Sequence, residues 1–105
     1  MDSKQRSVSR LIAHAGQMLH AHGAESALID GIMQRIGRAC GMDEVEVSLT
    51  SGSLVVTTVY RDHCITTTRR CQDRGINMRM ITEVQRICIM LEKGILDYQL
   101  AQKKL

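Results

Sequence analysis

His20 and His22 stand two positions apart. On a helix that spacing turns them about 200° from each other, so they cannot both bind one ion from one helix face. His63, Cys64 and Cys71 form a looser set, to which Cys40 would have to be brought from elsewhere in the chain. None of Cys40, Cys64, Cys71 and Cys88 lies in a C-x-x-C pair. They read as reduced thiols, small and buried, beside a histidine in a polar turn. No metal and no other cofactor is expected.

Nucleophilic chemistry would need an activated serine or thiol. Ser26 follows Glu25 in Gly23-Ala24-Glu25-Ser26, but the G-x-S-x-G elbow is missing. A serine there reads as a helix-end residue. Gly31, Gly37 and Gly41 are scattered along or just after one helix and make no phosphate-cradling loop. No catalytic set is recognisable, and whether the chain is an enzyme stays open at this point.

Arg69, Arg70, Arg74 and Arg79 are closely spaced, and Asn77 among them is suited to cap a helix. Free N–H groups at a helix start beside several guanidinium groups are the ingredients of an anion site. A carboxylate would suit them, because guanidinium donors meet it in a fork geometry. The bland alternative is a solvated, charged loop. The candidate ligand-binding set is Glu25, Arg69, Arg70, Arg74 and Asn77. Glu25 and Asp30 would equally serve as structural partners for the arginines.

These residues need elements to position them. Residues 1–6 are polar and read as frayed. Val8, Leu11, Ile12, Ala15, Met18 and Leu19 follow the 3.6-residue period of a helix that Gly23 stops. Leu28, Ile29, Ile32, Met33 and Ile36 mark a second helix, with Glu25 in its first turn and Gly41 at its end. The period then changes to two: Val45, Val47 and Leu49 alternate with polar residues, and strands follow over 54–60 and 64–69. Ser51-Gly52-Ser53 and Arg61-Asp62-His63 read as turns, and 70–76 as a polar loop. Met78, Ile81, Val84 and Leu91 mark a third helix closed by Gly94, and 96–105 a short fourth with Asp97 in its first turn. The expectation is an α+β fold in two layers, a three-stranded antiparallel meander packed against helices in the order α-α-β-β-β-α-α. Thr57, Thr66 and Thr68 fall on a thinly covered sheet face, which leaves self-association as one use of the open strands.

Length and composition narrow the class. The 105 residues are one domain's worth, 1–105. Ile, Leu and Val make up about a quarter of them, which argues against disorder. With no Phe or Trp, the core must be aliphatic, and seven methionines fill its gaps. A net charge of +3 is too small a bias to demand nucleic acid. The longest apolar runs fall far short of the ~20 residues that span a bilayer, and no signal-peptide core follows the N-terminus, so the chain by itself reads as soluble and unexported.

The run His22-Gly23-Ala24-Glu25-Ser26-Ala27-Leu28-Ile29-Asp30, then Arg35-Ile36-Gly37-Arg38-Ala39-Cys40-Gly41-Met42, closely resembles the soluble N-terminal domain of the threonine/serine exporter family. So does Asp73-Arg74-Gly75-Ile76-Asn77, with its following helix and Leu96-Asp97-Tyr98. The likeness runs from about residue 6 to 98 and lies nearest the enterobacterial branch linked to succinate export, in which two inner-membrane subunits form the transporter. Gly23, Ala24, Glu25, Arg74, Gly75 and Asn77 match the family's motif segments. The resemblance implies that these residues are the cytoplasmic N-terminal part of a longer inner-membrane protein. Its partners would be the membrane helices of its own chain and a second membrane subunit. It further implies export of succinate or another dicarboxylate, or of threonine and serine, with a gating, sensing or assembly role for this part.

Two other classes compete. Double-stranded RNA-binding domains also run α-β-β-β-α, but Asn77-Met78-Arg79-Met80-Ile81 lacks their lysine cluster, and the first αα-hairpin is left unexplained. A small hydrolase or lyase would use Glu25, Ser26 or Asp30 in a cleft with perturbed ionisation.

Overall fold

The computed structural model describes residues 3–105. Helices α1 (Ser3–Ala21) and α2 (Ser26–Ala39) form a hairpin, followed by strands β1 (Glu44–Leu49), β2 (Ser53–Tyr60) and β3 (His63–Arg70), then helices α3 (Met78–Glu92) and α4 (Tyr98–Lys104). The sheet is antiparallel throughout, in the order β1-β2-β3. This is the expected α+β order, with the helices on one side of an open three-stranded sheet.

The hairpin corner follows from local chemistry. Gly23 takes φ +89°, which lets its N–H reach the His20 carbonyl (3.3 Å) and the Ala24 N–H reach the Leu19 carbonyl (3.0 Å). This paired closure of a helix end requires the left-handed conformation that glycine adopts without a Cβ penalty. Gly41 and Gly94 close α2 and α3 with the same pair of bonds. At the starts of α3 and α4, Asn77 Oδ1 accepts from the Met80 N–H (3.2 Å) and Asp97 Oδ1 from the Leu100 N–H (2.8 Å). Asp97 is therefore a cap and not a first-turn residue.

Alternation along the strands sets which face meets the helices. Val45, Leu54, Val56 and Thr58 are buried; Val45 pairs with Thr58, and the β3 partners of Leu54, Val56 and Thr58 are Arg69, Thr67 and Ile65. Residues paired across an antiparallel ladder share a face, so Arg69 lies on the helix side. The opposite face carries Glu46, Ser48, Thr57, Thr66 and Thr68, with a 2.9 Å hydroxyl contact between Thr57 and Thr66.

The core is aliphatic, built on Leu11, Ile12, Leu19, Ile32, Met33, Ile36, Leu54, Val56 and Ile87. Helix α1 is its axis, packing against α2, β2, β3, α3 and α4. That position buries more than the single face the apolar period marks: Gln5, Ser9, Ala13 and Gly16 are covered too. A buried polar side chain is costly unless it is hydrogen-bonded. Gln5 Nε2 donates to the carbonyl of His63 (2.8 Å), and Ser9 Oγ meets Thr58 Oγ1 at 2.6 Å.

Several expectations need correction. Residues 3–6 are not frayed: α1 begins at Ser3 and Gln5 is wholly buried, because its amide finds carbonyl partners on β2 and β3. The expectation for residues 1–2 lies outside the described residues. Glu25 precedes the first turn of α2 as its N-cap residue, without a side-chain capping bond. His63 opens β3 and Arg70 ends it, because the chain reverses in the two residues Arg61 and Asp62, both at positive φ (50° and 66°). Cys64 is exposed, whereas Cys40, Cys71 and Cys88 are buried thiols. Burial pushes the Cys40 and Cys71 thiols up, and holds Cys88 at about 11.

Candidate anion-binding cleft

From Arg69 to Asn77 the chain runs beside the last two turns of α1. Gln17 Nε2 donates to the Arg70 carbonyl (2.7 Å), the Arg74 N–H to the Ala21 carbonyl (2.8 Å) and the Asn77 N–H to the His22 carbonyl (3.2 Å). His22 Nδ1 lies 3.3 Å from the Gly75 carbonyl oxygen. Within the loop, Asp73 Oδ1 accepts from the Gly75 N–H (2.8 Å), a side-chain turn that shapes the bend. Ile76 lies over Gly23, where a Cβ would come within 3.0 Å of its Cγ1. The Gly-Ala-Glu and Arg-Gly-Ile-Asn segments, distant in sequence, are thus one docked junction.

Between α1 and this segment lies a cleft of about 310 Å³, lined by His14, Gln17, Met18, His22, Arg70 and Arg74, among others. That is at the small end of ligand-site volumes. His14 sits at one end, with Arg69 near enough to act on its charge and Gln102 Nε2 of α4 at 3.5 Å from its Nδ1. Partial burial, reinforced by the Arg69 guanidinium, holds His14 below the usual imidazole range. The other end carries His22 and Arg74.

The proposed ligand set is only partly brought together. Arg70 and Arg74 line the cleft and Arg69 stands beside it, while Asn77 is occupied in capping α3. Glu25 is exposed at the α2 N-terminus, does not line this cleft and makes no ion pair with the arginines among the described residues. Adjacent strand residues face opposite sides of a sheet, so Arg69 and Arg70 do not act as a side-by-side pair. Ser26 and Asp30 line a separate groove of about 260 Å³ against Val47 and Leu49, and Asp30 is held by Gln34 at 3.4 Å. The bidentate pair Arg35–Glu92 (2.9 and 2.6 Å), which draws the Glu92 carboxyl down, ties α2 to α3 away from the cleft.

His14 and Gln17 were absent from the sequence reading of the site, and His22 entered it only as a metal candidate. Their signal is in the spacing: 14, 17, 18, 21 and 22 follow one helix face, a polar-bearing stripe along the second half of α1.

An open antiparallel sheet backed by helices, with a small cleft where two docked motif segments meet, defines an α+β domain, and no helix among the described residues is long and apolar enough to cross a membrane. The family model described as "Putative threonine/serine exporter" matches residues 10–105, and the chain belongs to that family. It is 50% identical over 101 residues to the "Probable succinate transporter subunit YjjP" of Escherichia coli (strain K12), covering 96% of this chain and 40% of that protein. It is 48% identical over 102 residues to the protein of the same name from Klebsiella aerogenes, covering 97% and 40%. An uncharacterized protein of Haemophilus influenzae is 45% identical over 101 residues, covering 96% and 34%. The chain therefore spans between 34% and 40% of the length of these curated relatives. No solved structure matches it.

Proposed function

We propose that this chain is the cytoplasmic, ligand-sensing part of an inner-membrane exporter of small carboxylates, acting with membrane helices of a longer chain and with a second membrane subunit. Family membership and the near-half identity to proteins named as succinate transporter subunits support the exporter reading. The observation that carries the sensing role is the basic cleft at the junction of the two motif segments, with Arg74 held at its wall by the backbone bond to Ala21. Paired cationic donors in a part-enclosed cleft recognise carboxylates far better than solvated arginines do. Domain 1–105 then reports ligand to the transport machinery and moves nothing itself.

Export assays on the full-length transporter test this. Arg74→Ala is expected to cut succinate efflux several-fold at unchanged protein level in the membrane. Efflux equal to wild type would remove the cleft from the mechanism.

A further inference from the structure

The sheet has two edges, β1 and β3, and side chains cover one of them. The Cys71 N–H donates to the Gly52 carbonyl (2.9 Å), extending the β2–β3 ladder. Hydrogen-bonded positions alternate along an antiparallel pair, so Thr66, Thr68 and Arg70 turn their backbone groups away from β2. There the Thr68 carbonyl accepts from Arg69 Nη1 (3.1 Å) and the Arg70 carbonyl from Gln17 Nε2 (2.7 Å). At the other edge the Thr50 N–H donates to the Ser53 carbonyl (2.9 Å), so the same alternation turns Val45, Val47 and Leu49 outward. Gln34 Nε2 of α2 reaches the Val45 carbonyl (2.6 Å) from that side. The outward backbone groups of Val47 and Leu49 have no partner among the described residues. Their half-buried side chains line the groove of about 260 Å³ between this edge and Ala27 of α2. An unpaired row of N–H and C=O groups beside an apolar strip accepts another strand.

The strand that fits is β1 itself. In antiparallel pairing about a two-fold axis at Val47, Val47 meets Val47 of a second copy, Val45 meets Leu49, Glu46 meets Ser48 and Glu44 meets Thr50. Apolar residues face apolar ones, and each carboxylate faces a hydroxyl. An axis at Glu46 would set that carboxylate against its own copy, and an axis at Val45 would set Glu44 against Glu46, like charges directly opposite. An axis at Ser48 would carry Val45 past the end of the partner strand. We propose that β1 pairs with β1 of a second copy about an axis at Val47, fusing the two sheets into one. The N–H of Val47 in each copy then donates to the Val47 carbonyl of the other, and the half-buried Val47 and Leu49 side chains are covered by their counterparts. Because β3 is covered, the sheet ends there and the assembly closes at two copies. The Glu46 carboxylates of the two copies are diagonal neighbours, about 7–8 Å apart, so salt strengthens the pairing.

Sedimentation velocity of the 105-residue chain at concentrations up to about 1 mM tests this, with amide hydrogen exchange to locate the contact. The expected result is a monomer–dimer equilibrium that tightens with added salt and in Glu46→Gln, and slower exchange at the Val47 and Leu49 amides in the dimer. Val47→Pro removes an N–H that β2 does not use, which an edge strand tolerates, and Val47→Glu sets two carboxylates face to face on the axis. Each is expected to weaken the dimer by about tenfold or more while circular dichroism stays that of the wild type. A chain that stays monomeric throughout, or a dimer in which the Val47 and Leu49 amides exchange as fast as in the monomer, would overturn the proposal. So would association that continues beyond two copies or loosens with salt, the marks of an acidic β1 edge meeting the basic β3 edge head to tail. The exchange measurement needs no variant, so it decides the matter even where a substitution unfolds the chain.

Discussion

Gly23 is where the reading of the motif junction can be tested most directly. At φ +89° an alanine is held in the left-handed region, which costs about 1–2 kcal/mol. Its Cβ would also sit 3.0 Å from Ile76 Cγ1. Ile76 is 81% exposed and free to swing aside, so the steric addition is small. Gly75 is the control: its φ is +83°, but nothing lies within 4 Å of a Cβ there. Both Gly23→Ala and Gly75→Ala should therefore destabilise the chain by about 1–2 kcal/mol, differing by less than about 0.5. For a chain of this size that lowers Tm by roughly 5–15 °C. Gly23→Ala should disturb the docked segment, seen as faster hydrogen exchange at the Arg74 and Asn77 amides, which bond the Ala21 and His22 carbonyls, and Gly75→Ala, inside that segment, should speed the same amides. Thermal and urea unfolding give the energies, and exchange gives the location. A Gly23→Ala chain within about 0.3 kcal/mol of wild type, or unchanged exchange at both amides, would refute the account of the corner.

Three further outcomes are expected. Gly31→Ala, with open space at its Cβ, should stabilise α2 by up to about 1 kcal/mol, whereas Gly37→Ala drives a methyl into Val45 and should cost about 1–3 kcal/mol; chemical denaturation of the pair distinguishes helix propensity from close packing. His14 is depressed in the folded chain relative to the unfolded one, so the unfolded state binds the extra proton and stability falls as pH drops through and below the ordinary imidazole value of 6.5. That slope should shrink in His14→Gln when stability is measured against pH. Replacing Arg61-Asp62, both at positive φ, by Asn-Gly should raise stability by about 1 kcal/mol in thermal unfolding, because those residues favour the turn that joins β2 and β3.

The order of elements was legible because each signal is local. A 3.6-residue apolar period, a switch to alternation at Val45, and glycines after Ala39 and Lys93 need no knowledge of what packs where. The family likeness was legible for the same reason, since Gly23-Ala24-Glu25 and Arg74-Gly75-Ile76-Asn77 are contiguous runs. Gln5 was misread because a polar side chain near an N-terminus looks solvated until carbonyls on two strands are brought to it.

What the chain alone determined was its class, its helix ends and a basic character around Arg69–Arg74, all set by neighbours within a few residues. Tertiary structure decided which of those cations share a space. The strand pleat parts Arg69 from Arg70, the α3 cap takes Asn77, and α2 carries Glu25 away from the cleft lining. The same packing lays α1 and the corner after it alongside β3 and the loop that follows, from Gln5 beside His63 to His22 beside Gly75, and so supplies His14 and His22 from more than forty positions earlier in the chain. Spacing along a sequence cannot record that convergence, because it arises only when the hydrophobic face of one element buries another's.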